Sequence, residues 1–380
     1  MKVSEVIDKA LRGELRWIDA AGILGVSDRQ MRRWKQRVLA DKAGGLQDRR
    51  QGRKPGNHVP EATARHIVEL YQGQYEGFNV KHFHEELVST YATTVSYSYV
   101  KRLLHETGCV RRHPKRGVYR RKRERKPMAG MLVHLDGSKH RWFESDDGTM
   151  QDLLVYLDDA TGEIVAAQFV PEEATATVLS LLKELVRTRG TFGALYTDRA
   201  SHFVCTPNAQ EGPDRSKKTQ VEQILDDLGI ELICAFSPQA RGRSERMWRT
   251  LQGRLPQELR RAHVTTYEQA NAYLRQKFLK KFNAMFAVAP AVEGTAFLPV
   301  QRADLDAIVQ LRYTRVVAKD HTVRFANRAF QLPKGSGFLA GRKVDVRVDL
   351  DGIVSIYLAK RLLATFAAKV DPNLSQLEAA

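Results

Sequence analysis

The sequence has 380 residues, of which 43% are hydrophobic and 28% are charged, and its formal net charge is +17. This hydrophobic fraction excludes a wholly disordered chain, and the length predicts roughly two to four domains. No run of about 18 apolar residues occurs, no apolar signal-peptide core follows the N-terminus, and the three cysteines lack metal or redox spacing. These features exclude a membrane span, a disulfide scaffold and a zinc finger, and they predict a protein of the reducing cytoplasm.

The positive charge is concentrated in the N-terminal third. Residues 1–130 contain 28 basic and 14 acidic side chains, whereas residues 131–300 contain 20 and 22, and residues 301–380 contain 13 and 8. A basic region joined to a nearly neutral one predicts polyanion binding by the N-terminal region and a different function for the rest of the chain. The alternative, a basic surface kept for solubility, would spread the charge more evenly.

Residues 1–45 are predicted to form a helix-turn-helix DNA-binding domain. Gly25 marks a turn, and Ser27 with Gln30 has the pattern of a capping box at the start of a second helix. One face of that helix is apolar and the other is basic, as in a recognition helix that enters the major groove. A plain helical hairpin is the alternative. The predicted DNA contacts on this helix are Arg29, Arg32, Arg33 and Lys35.

A second helix-turn-helix domain is predicted over residues 60–108, between basic linkers at 46–59 and 109–128. Ser96 caps its last helix, which carries Lys101 as a predicted DNA contact. The second linker has 10 Lys or Arg residues between Arg111 and Lys126. Both linkers could grip the DNA backbone, and a solvated segment is the alternative for each. The predicted phosphate contacts in the linkers are Arg53, Lys54, Arg120, Arg121 and Lys122.

From residue 129 to residue 290 the pattern predicts an α/β domain. The runs MLVHLD, MQDLLVYLDD and EIVAAQFV read as strands, and they are followed by a helix, the strand ALYTD, a helix, the strand ELICAF and a long helix that begins near Ser244. Strands in sequence followed by alternating helices and strands predict a mixed sheet flanked by helices. After a linker at 291–312, alternating apolar and polar residues predict a small antiparallel β-barrel over 313–380.

Three carboxylates fall where a metal site would need them. Asp136 is predicted to close the first strand, Asp198 closes the fourth, and Glu245 lies in the first turn of the long helix. Side chains at the carboxyl ends of neighbouring strands face one crevice, and ligation by oxygen alone suits Mg²⁺ or Mn²⁺. Each acid taken alone could be a turn former or a helix cap. The spacing therefore leaves a metal centre and a structural role both open.

Other polar and aromatic residues near these acids are predicted to be structural. Asp158 and Asp159 also end a strand, but they lead directly into a tight turn. His134 is predicted to be a hydrogen-bonded histidine of the core. Trp142 and Phe143 could stack on a base, but covering the edge of the sheet is the favoured role. None of these residues is therefore included in the predicted site.

The motif set VHLDGS, ALYTDRAS and SPQARGRSERMWRTLQGRL resembles the catalytic core of DDE integrase-superfamily transposases, and it is similar to the ISNCY-type group of bacterial insertion sequences. The resemblance covers most of the chain and includes the later segment FNAMFAVAP. It implies a ribonuclease-H-like core and matches the three acids of the family to Asp136, Asp198 and Glu245. The last two are 47 positions apart, farther than in retroviral integrases, and an inserted polar loop explains the difference.

The resemblance implies a DNA transposase that binds terminal inverted repeats, holds two Mg²⁺ ions (Mn²⁺ as a substitute) on the three acids, hydrolyses phosphodiester bonds and transfers the 3′ strand to target DNA. It also implies a homo-oligomeric synaptic complex at the bacterial nucleoid. The alternatives are a DNA-binding regulator with an inactive ribonuclease-H-like scaffold and a metal-dependent nuclease without strand transfer. The predicted DNA contacts around the acids are Lys139, Gln239, Arg241, Arg243 and Arg249.

Overall fold

The computed structural model describes residues 3–41, 45–46, 58–112, 124–144, 148–205, 217–235, 242–333, 337–359, 361–367 and 370. By internal contacts the chain divides into two compact units, residues 1–67 and residues 68–380. Among the described residues, no helix is both long and apolar enough to cross a membrane.

The described part of the smaller unit contains the helices α1 (Val3–Leu11), α2 (Trp17–Leu24) and α3 (Asp28–Ala40). Val6, Ala20 and Met31, one from each helix, are buried in a shared core. Gly25 has the left-handed φ of 64° that ends α2. Ser27 Oγ accepts a hydrogen bond at 3.3 Å from the backbone N–H three residues later. The predicted turn and N-cap are therefore confirmed.

The helix α4 (Glu61–Gln74) contains the division between the units, and α5 (Val80–Tyr91) and α6 (Tyr97–Glu106) follow it in the larger unit. Ser96 Oγ accepts a hydrogen bond from the backbone N–H of Tyr99, which confirms the predicted cap of α6. Val100 and Leu104 of α6 are buried, whereas Lys101 is exposed. The apolar face of α6 thus packs inward and its basic side faces solvent.

The centre of the larger unit is a five-stranded sheet of β1 (Val133–His140), β2 (Gln151–Asp158), β3 (Ile164–Val170), β4 (Ala194–Thr197) and β5 (Glu231–Cys234). The strand order is β3-β2-β1-β4-β5. The first three strands form an antiparallel meander, whereas β1, β4 and β5 are parallel. The predicted mixed sheet is confirmed.

Two hydrophobic clusters cover the two faces of this sheet. The first, which we call the α7 face, packs Leu135 and Leu154 against α7 (Thr175–Arg189) and α8 (Gln220–Asp227). The second, the α9 face, packs Leu153 and Val155 against later helices. These are α9 (Gly242–Gln252), α10 (Leu255–Arg261), α11 (Tyr267–Tyr273), a π-helical turn (Leu274–Phe278) and α12 (Leu279–Phe286).

The α9 face confirms two predictions about buried side chains. Trp142 and Phe143 are 0% and 4% exposed and belong to one cluster with Trp248 of α9, so they are packed structurally as predicted, although on a face of the sheet and not at its edge. The indole N–H of Trp142 donates to the backbone carbonyl of Ser138 at 3.0 Å, which satisfies its polar atom inside the core. Both aromatic rings are therefore structural.

Among the described residues, the C-terminal strands do not form the predicted closed β-barrel. After α13 (Arg302–Ile308) come β6 (Leu311–Val316), β7 (Thr322–Phe325), β8 (Arg328–Gln331), β9 (Lys343–Val348), β10 (Val354–Leu358) and β11 (Arg361–Phe366). In the described part of this region, β11-β10-β9-β6 form an open sheet and β7-β8 form a separate hairpin. Alternation of apolar and polar residues predicts strands with one buried face. It does not determine whether the first and last strands pair, as closure requires.

Candidate active site

Asp136 lies within β1, and the prediction that it closes this strand is wrong. β1 pairs with β4 only through Val133 and His134, but it stays paired with β2 as far as His140. The glycine and serine after Asp136 resemble a turn in the sequence. Cross-strand pairing with β2 keeps them extended, so β1 continues past its parallel neighbour.

The parallel pairing of β1 with β4 ends two residues before Asp136 and Asp198. His134 pairs with Tyr196, and if this register were continued by two residues, Asp136 would face Asp198, the first residue after β4. Neighbouring strands are about 4.8 Å apart. Asp198 Oδ1 accepts a hydrogen bond at 2.9 Å from the backbone N–H of Ala200, which orients this carboxylate in its turn. Both aspartates are half-buried.

Glu245, exposed in the first turn of α9, belongs to the same face of the sheet. Asp136 pairs across β2 with Val155, which packs in the α9-face cluster, and directly opposed residues share a face. Gln252 Nε2 donates to Ser138 Oγ at 3.3 Å and joins the end of α9 to β1. Residues seven apart lie on one stripe of a helix, so Glu245 lies on the stripe that turns toward β1. We call Asp136, Asp198 and Glu245 the acidic edge.

The other predicted contacts of this region differ in their placement. Arg249 is exposed one turn after Glu245, on the same stripe of α9. Lys139 pairs with Asp152, and alternation along β1 puts it on the α7 face. Burial raises the pKa of Asp152, and the charge of Lys139 opposes that rise. Gln239, Arg241, Arg53, Lys54, Arg120, Arg121 and Lys122 lie outside the described residues, as does the side chain of Arg243.

The predicted contacts in the smaller unit lie on the outer side of α3. Arg29, Arg32 and Arg33 are exposed. The ammonium of Lys35 lies 5.2 Å from the centre of the Trp17 ring, a cation–π distance that holds this side chain against α2. Three guanidinium groups on one helix therefore face solvent, where a polyanion could reach them.

Asp158 and Asp159 are structural, as predicted. They are 1% and 0% exposed. Asp158 accepts hydrogen bonds from the backbone N–H of Gly130 and from the backbone and hydroxyl of Thr161, each at 2.8 Å. Asp159 Oδ1 lies 2.8 Å from His134 Nε2, so His134 is a hydrogen-bonded core histidine as predicted. These acids tie the turn after β2 to the segment before β1.

Sequence reasoning missed Glu173 and His202, which lie against the chain next to Asp136. His202 Nε2 is 3.1 Å from Glu173 Oε1. A Cβ on Gly137 would collide with Glu173 Oε2, so the carboxylate fills the space that a side chain at residue 137 would take. The glycine directly after a candidate acid was the signal in the sequence. It indicates a close approach without showing which residue approaches.

A second polar group that sequence reasoning missed joins α5 to α10 and α12. Ligand atoms of His82, Glu86 and Glu258 lie within 4.8 Å of one another, which is a spacing found in metal sites. Lys281 Nζ contacts both carboxylates, and Arg261 donates to Glu86 at 2.8 Å. Side-chain cations therefore neutralise these acids already, and we assign no metal to them. We call these five residues the docking cluster.

Two known proteins are similar to nearly the whole chain. The protein y4bF of Sinorhizobium fredii, named as a transposase, is 32% identical over 357 residues, which are 93% of this chain and 77% of y4bF. The transposase for insertion sequence IS1202 of Streptococcus pneumoniae is 27% identical over 384 residues, which cover 90% of this chain and 80% of that protein. No family model matches the chain.

Solved structures of viral integrases are more distant. A chain of the simian T-cell lymphotropic virus intasome is 12% identical with a TM-score of 0.33, covering 80% of this chain and 99% of its own. The HTLV-2 integrase catalytic core with magnesium is 14% identical with a TM-score of 0.28, covering 40% and 89%. Scores this low support no conclusion about this chain. The identity to y4bF, however, confirms the resemblance found in the motifs, and the chain belongs to the family of bacterial insertion-sequence transposases.

Proposed function

We propose that the acidic edge is the catalytic centre at which this transposase cuts the ends of an insertion element and joins the freed 3′-hydroxyl groups to target DNA. The observation that carries the proposal is the register of β1 with β4. Continued by two residues, this register would bring Asp136 next to Asp198 on the sheet face that α9 covers. The strand order β3-β2-β1-β4-β5, with an antiparallel meander followed by parallel strands, supports a ribonuclease-H-like core.

The donor set of the acidic edge fits Mg²⁺, with Mn²⁺ as a substitute. Carboxylate oxygens are the ligands that these ions prefer, and Asp136, Asp198 and Glu245 offer no competing nitrogen or sulfur. The aspartates are half-buried and the glutamate is exposed, so water and a phosphate group can reach them. Two bound ions would activate the attacking oxygen and neutralise the charge that develops on the phosphate. The three acids would hold them.

Other side chains of the chain would orient this centre and the DNA. The backbone N–H of Ala200 fixes the Asp198 carboxylate, and the Gln252–Ser138 hydrogen bond holds α9 against β1. Arg249 projects from the stripe of α9 that carries Glu245, where its guanidinium would contact the phosphate backbone. Positioning by rigid strands and a packed helix suits phosphoryl transfer, in which the protein mainly aligns the reacting groups.

We also propose that both groups of N-terminal helices bind the terminal inverted repeats as helix-turn-helix domains. Their exposed basic side chains, three on α3 and Lys101 on α6, support this assignment. Because two element ends must be brought together, the active species would be a homo-oligomer, acting in the bacterial cytoplasm. Lys35, Lys139, Gln239, Arg241, Arg243 and the basic linkers remain predicted DNA contacts.

A strand-transfer assay tests this function. Labelled DNA carrying the ends of the element would be incubated in Mg²⁺ or Mn²⁺ with the wild type and with Asp136→Asn, Asp198→Asn and Glu245→Gln. We expect cut and joined products with the wild type, and we expect each variant to bind DNA without producing either. Binding without cleavage by the wild type would favour the regulator. Cutting without joining would favour the nuclease.

A further inference from the structure

The helix α5 is attached to the core by buried charged groups. His82 is 0% exposed and its Nε2 lies 2.8 Å from Oε1 of Glu258 in α10. Glu86, one turn later, forms ion pairs with Arg261 at 2.8 Å and with Lys281 of α12. Lys281 also reaches Glu258 at 3.2 Å. Two helices of the core therefore bind one face of α5 through ion pairs that share partners.

A second set of contacts lies beside this docking cluster. Arg254, at the junction of α9 and α10, donates to Glu85 Oε2 at 2.6 Å, and its side chain is only 7% exposed. The amide of Asn79, which also caps α5, donates to the carbonyl of Gly253 at 2.8 Å. The guanidinium of Arg261 lies 4.5 Å from the centre of the Tyr75 ring. These contacts extend the attachment to the N-terminal half of α5 and to the segment that precedes it.

Buried polar contacts of this kind favour one position of α5 relative to the core helices. Burial alone would raise the pKa of Glu258, but the hydrogen bond from His82, the charge of Lys281 and the hydrogen bond from Tyr273 lower it to about 2. Glu258 therefore stays charged and needs its partners. An apolar surface can slide with little loss, whereas a displaced ion pair leaves buried charges without partners. Such groups can fix a register between packed elements.

A continuous path of packed elements joins the surface of α6 to the acidic edge. Lys101 is exposed on α6, which packs against α5 and buries Val100 and Leu104 on its inner face. The docking cluster joins α5 to α10, and only Gly253 and Arg254 separate α10 from the helix that carries Glu245. The basic side of α6 is therefore connected to the acidic edge through packed helices, with no linker in between.

We propose that the docking cluster and the Arg254–Glu85 pair set the distance between the DNA segment held by α6 and the acidic edge, and thereby select the phosphodiester bond that is cut. The partner of α6 is the duplex DNA at the element end, and the inference rests on the function proposed above. The residues of the cluster are positioning residues. They fix where the chemistry occurs, whereas the acids perform it.

The position of the cut, read at single-nucleotide resolution, tests this inference. The substrate is end-labelled duplex carrying the terminal sequence of the element. Glu85→Arg and Arg254→Glu each place like charges in contact, so we expect cleavage to spread over several neighbouring nucleotides while the Kd for DNA changes less than about twofold. The double variant restores an ion pair and should return the cut to one position. Lys81 also pairs with Glu85, at 3.7 Å, but its side chain is 58% exposed. In Glu85→Arg it can therefore turn away into water, and the like charges that stay in contact are those at positions 85 and 254.

A matched control separates positioning from loss of stability. Arg312→Glu breaks a 2.7 Å ion pair with Asp227 elsewhere in the larger unit, and it should leave the cut at one position. The inference is overturned if the single variants cut only at the wild-type position, if the double variant does not restore it, or if Arg312→Glu spreads the cut equally. A wild type that cuts no DNA would refute the proposed function and this inference with it. A wild type that cuts normally beside unaffected variants would refute only the inference.

Discussion

Two pairs of aspartates on one sheet have opposite surroundings. Asp158 and Asp159 lie where β2 ends, beside the first residue of β1, and are at most 1% exposed, with carboxylate oxygens that accept hydrogen bonds from neighbouring backbone and side chains. Asp136 lies further along β1 on the face covered by α9, Asp198 follows β4, and both are half-buried. The first pair is enclosed by the fold that it stabilises, whereas the second pair stays accessible to an external ligand.

The docking cluster shows a third way to accommodate carboxylates. Glu86 and Glu258 are buried like Asp158, but cations neutralise them instead of backbone donors. In both structural sets, other groups of the protein compensate the negative charge of the buried carboxylates. Accessibility to solvent therefore separates the structural acids from the candidate catalytic acids more clearly than position at a strand end does. Substitutions at the two kinds of acid should therefore have opposite consequences for stability and activity.

The largest effect is expected at Asp136. Asp136→Asn removes an oxygen donor that the proposed metal site requires, and we expect the rate of DNA cleavage to fall by about a thousandfold or more. The free energy of unfolding should change by less than about 1 kcal/mol, because Asp136 is only half-buried and the substitution keeps the shape of the side chain. Single-turnover cleavage and urea denaturation measure the two quantities. A variant that cuts at the wild-type rate would remove Asp136 from the site.

The sequence was sufficient to predict much of this region for identifiable reasons. Apolar runs bounded by turn residues predicted all five strands of the sheet, and the side-chain oxygens of Ser27 and Ser96 predicted two helix starts. The motifs assigned the three acids by family resemblance. Asp158 was recognised as structural because the turn residues Thr161 and Gly162 follow it closely. Each of these signals is local in the chain.

The features that the sequence did not predict depend on distant partners. His82 and Glu258 are 176 positions apart, and nothing near either residue indicates the other. Glu173, just before α7, approaches Gly137 of β1. This contact can be predicted only when the packing of α7 on the sheet is known. The end of β1 was misplaced because its pairing with β2 outlasts its pairing with β4. Closure of the C-terminal sheet is likewise a matter of pairing and not of local pattern.

A smaller but opposite effect is expected at Asp158. Asp158→Asn turns an amide toward buried N–H and O–H donors, and the loss of these charge-assisted hydrogen bonds should lower the free energy of unfolding by about 4 kcal/mol. The fraction that stays folded should cut DNA at nearly the wild-type rate. Denaturation and cleavage measured on the same preparation separate the two outcomes. If Asp158→Asn instead abolished cleavage without loss of stability, the distinction between the two aspartate pairs would be wrong.

Acid should weaken the docking cluster in a defined direction. Glu258 has a pKa of about 2 in the folded chain and an ordinary value of 4.5. Its contribution to stability is therefore complete above about pH 4.5 and is lost as the pH falls toward 2. Glu258→Gln should lower the free energy of unfolding at pH 7 by about 3 kcal/mol and reduce the loss between pH 4.5 and pH 3. Chemical denaturation of both proteins across this range measures the difference. An equal acid sensitivity in both would assign it to other groups.

The smallest effect is expected at Arg249, which tests whether the solvent side of the acidic edge meets DNA. Arg249→Ala removes one exposed guanidinium from the stripe of α9 that carries Glu245. It should weaken DNA binding by about fivefold and lower the slope of log Kd against log salt by about one. Arg187 is equally exposed in the last turn of α7, which packs on the opposite face of the sheet, and it provides a control of the same charge. If DNA lies only along the α9 side, Arg187→Ala should leave both quantities unchanged. Equal losses in the two variants would instead show that the net charge of the chain, and not a contact at the acidic edge, governs binding at this end of the sheet.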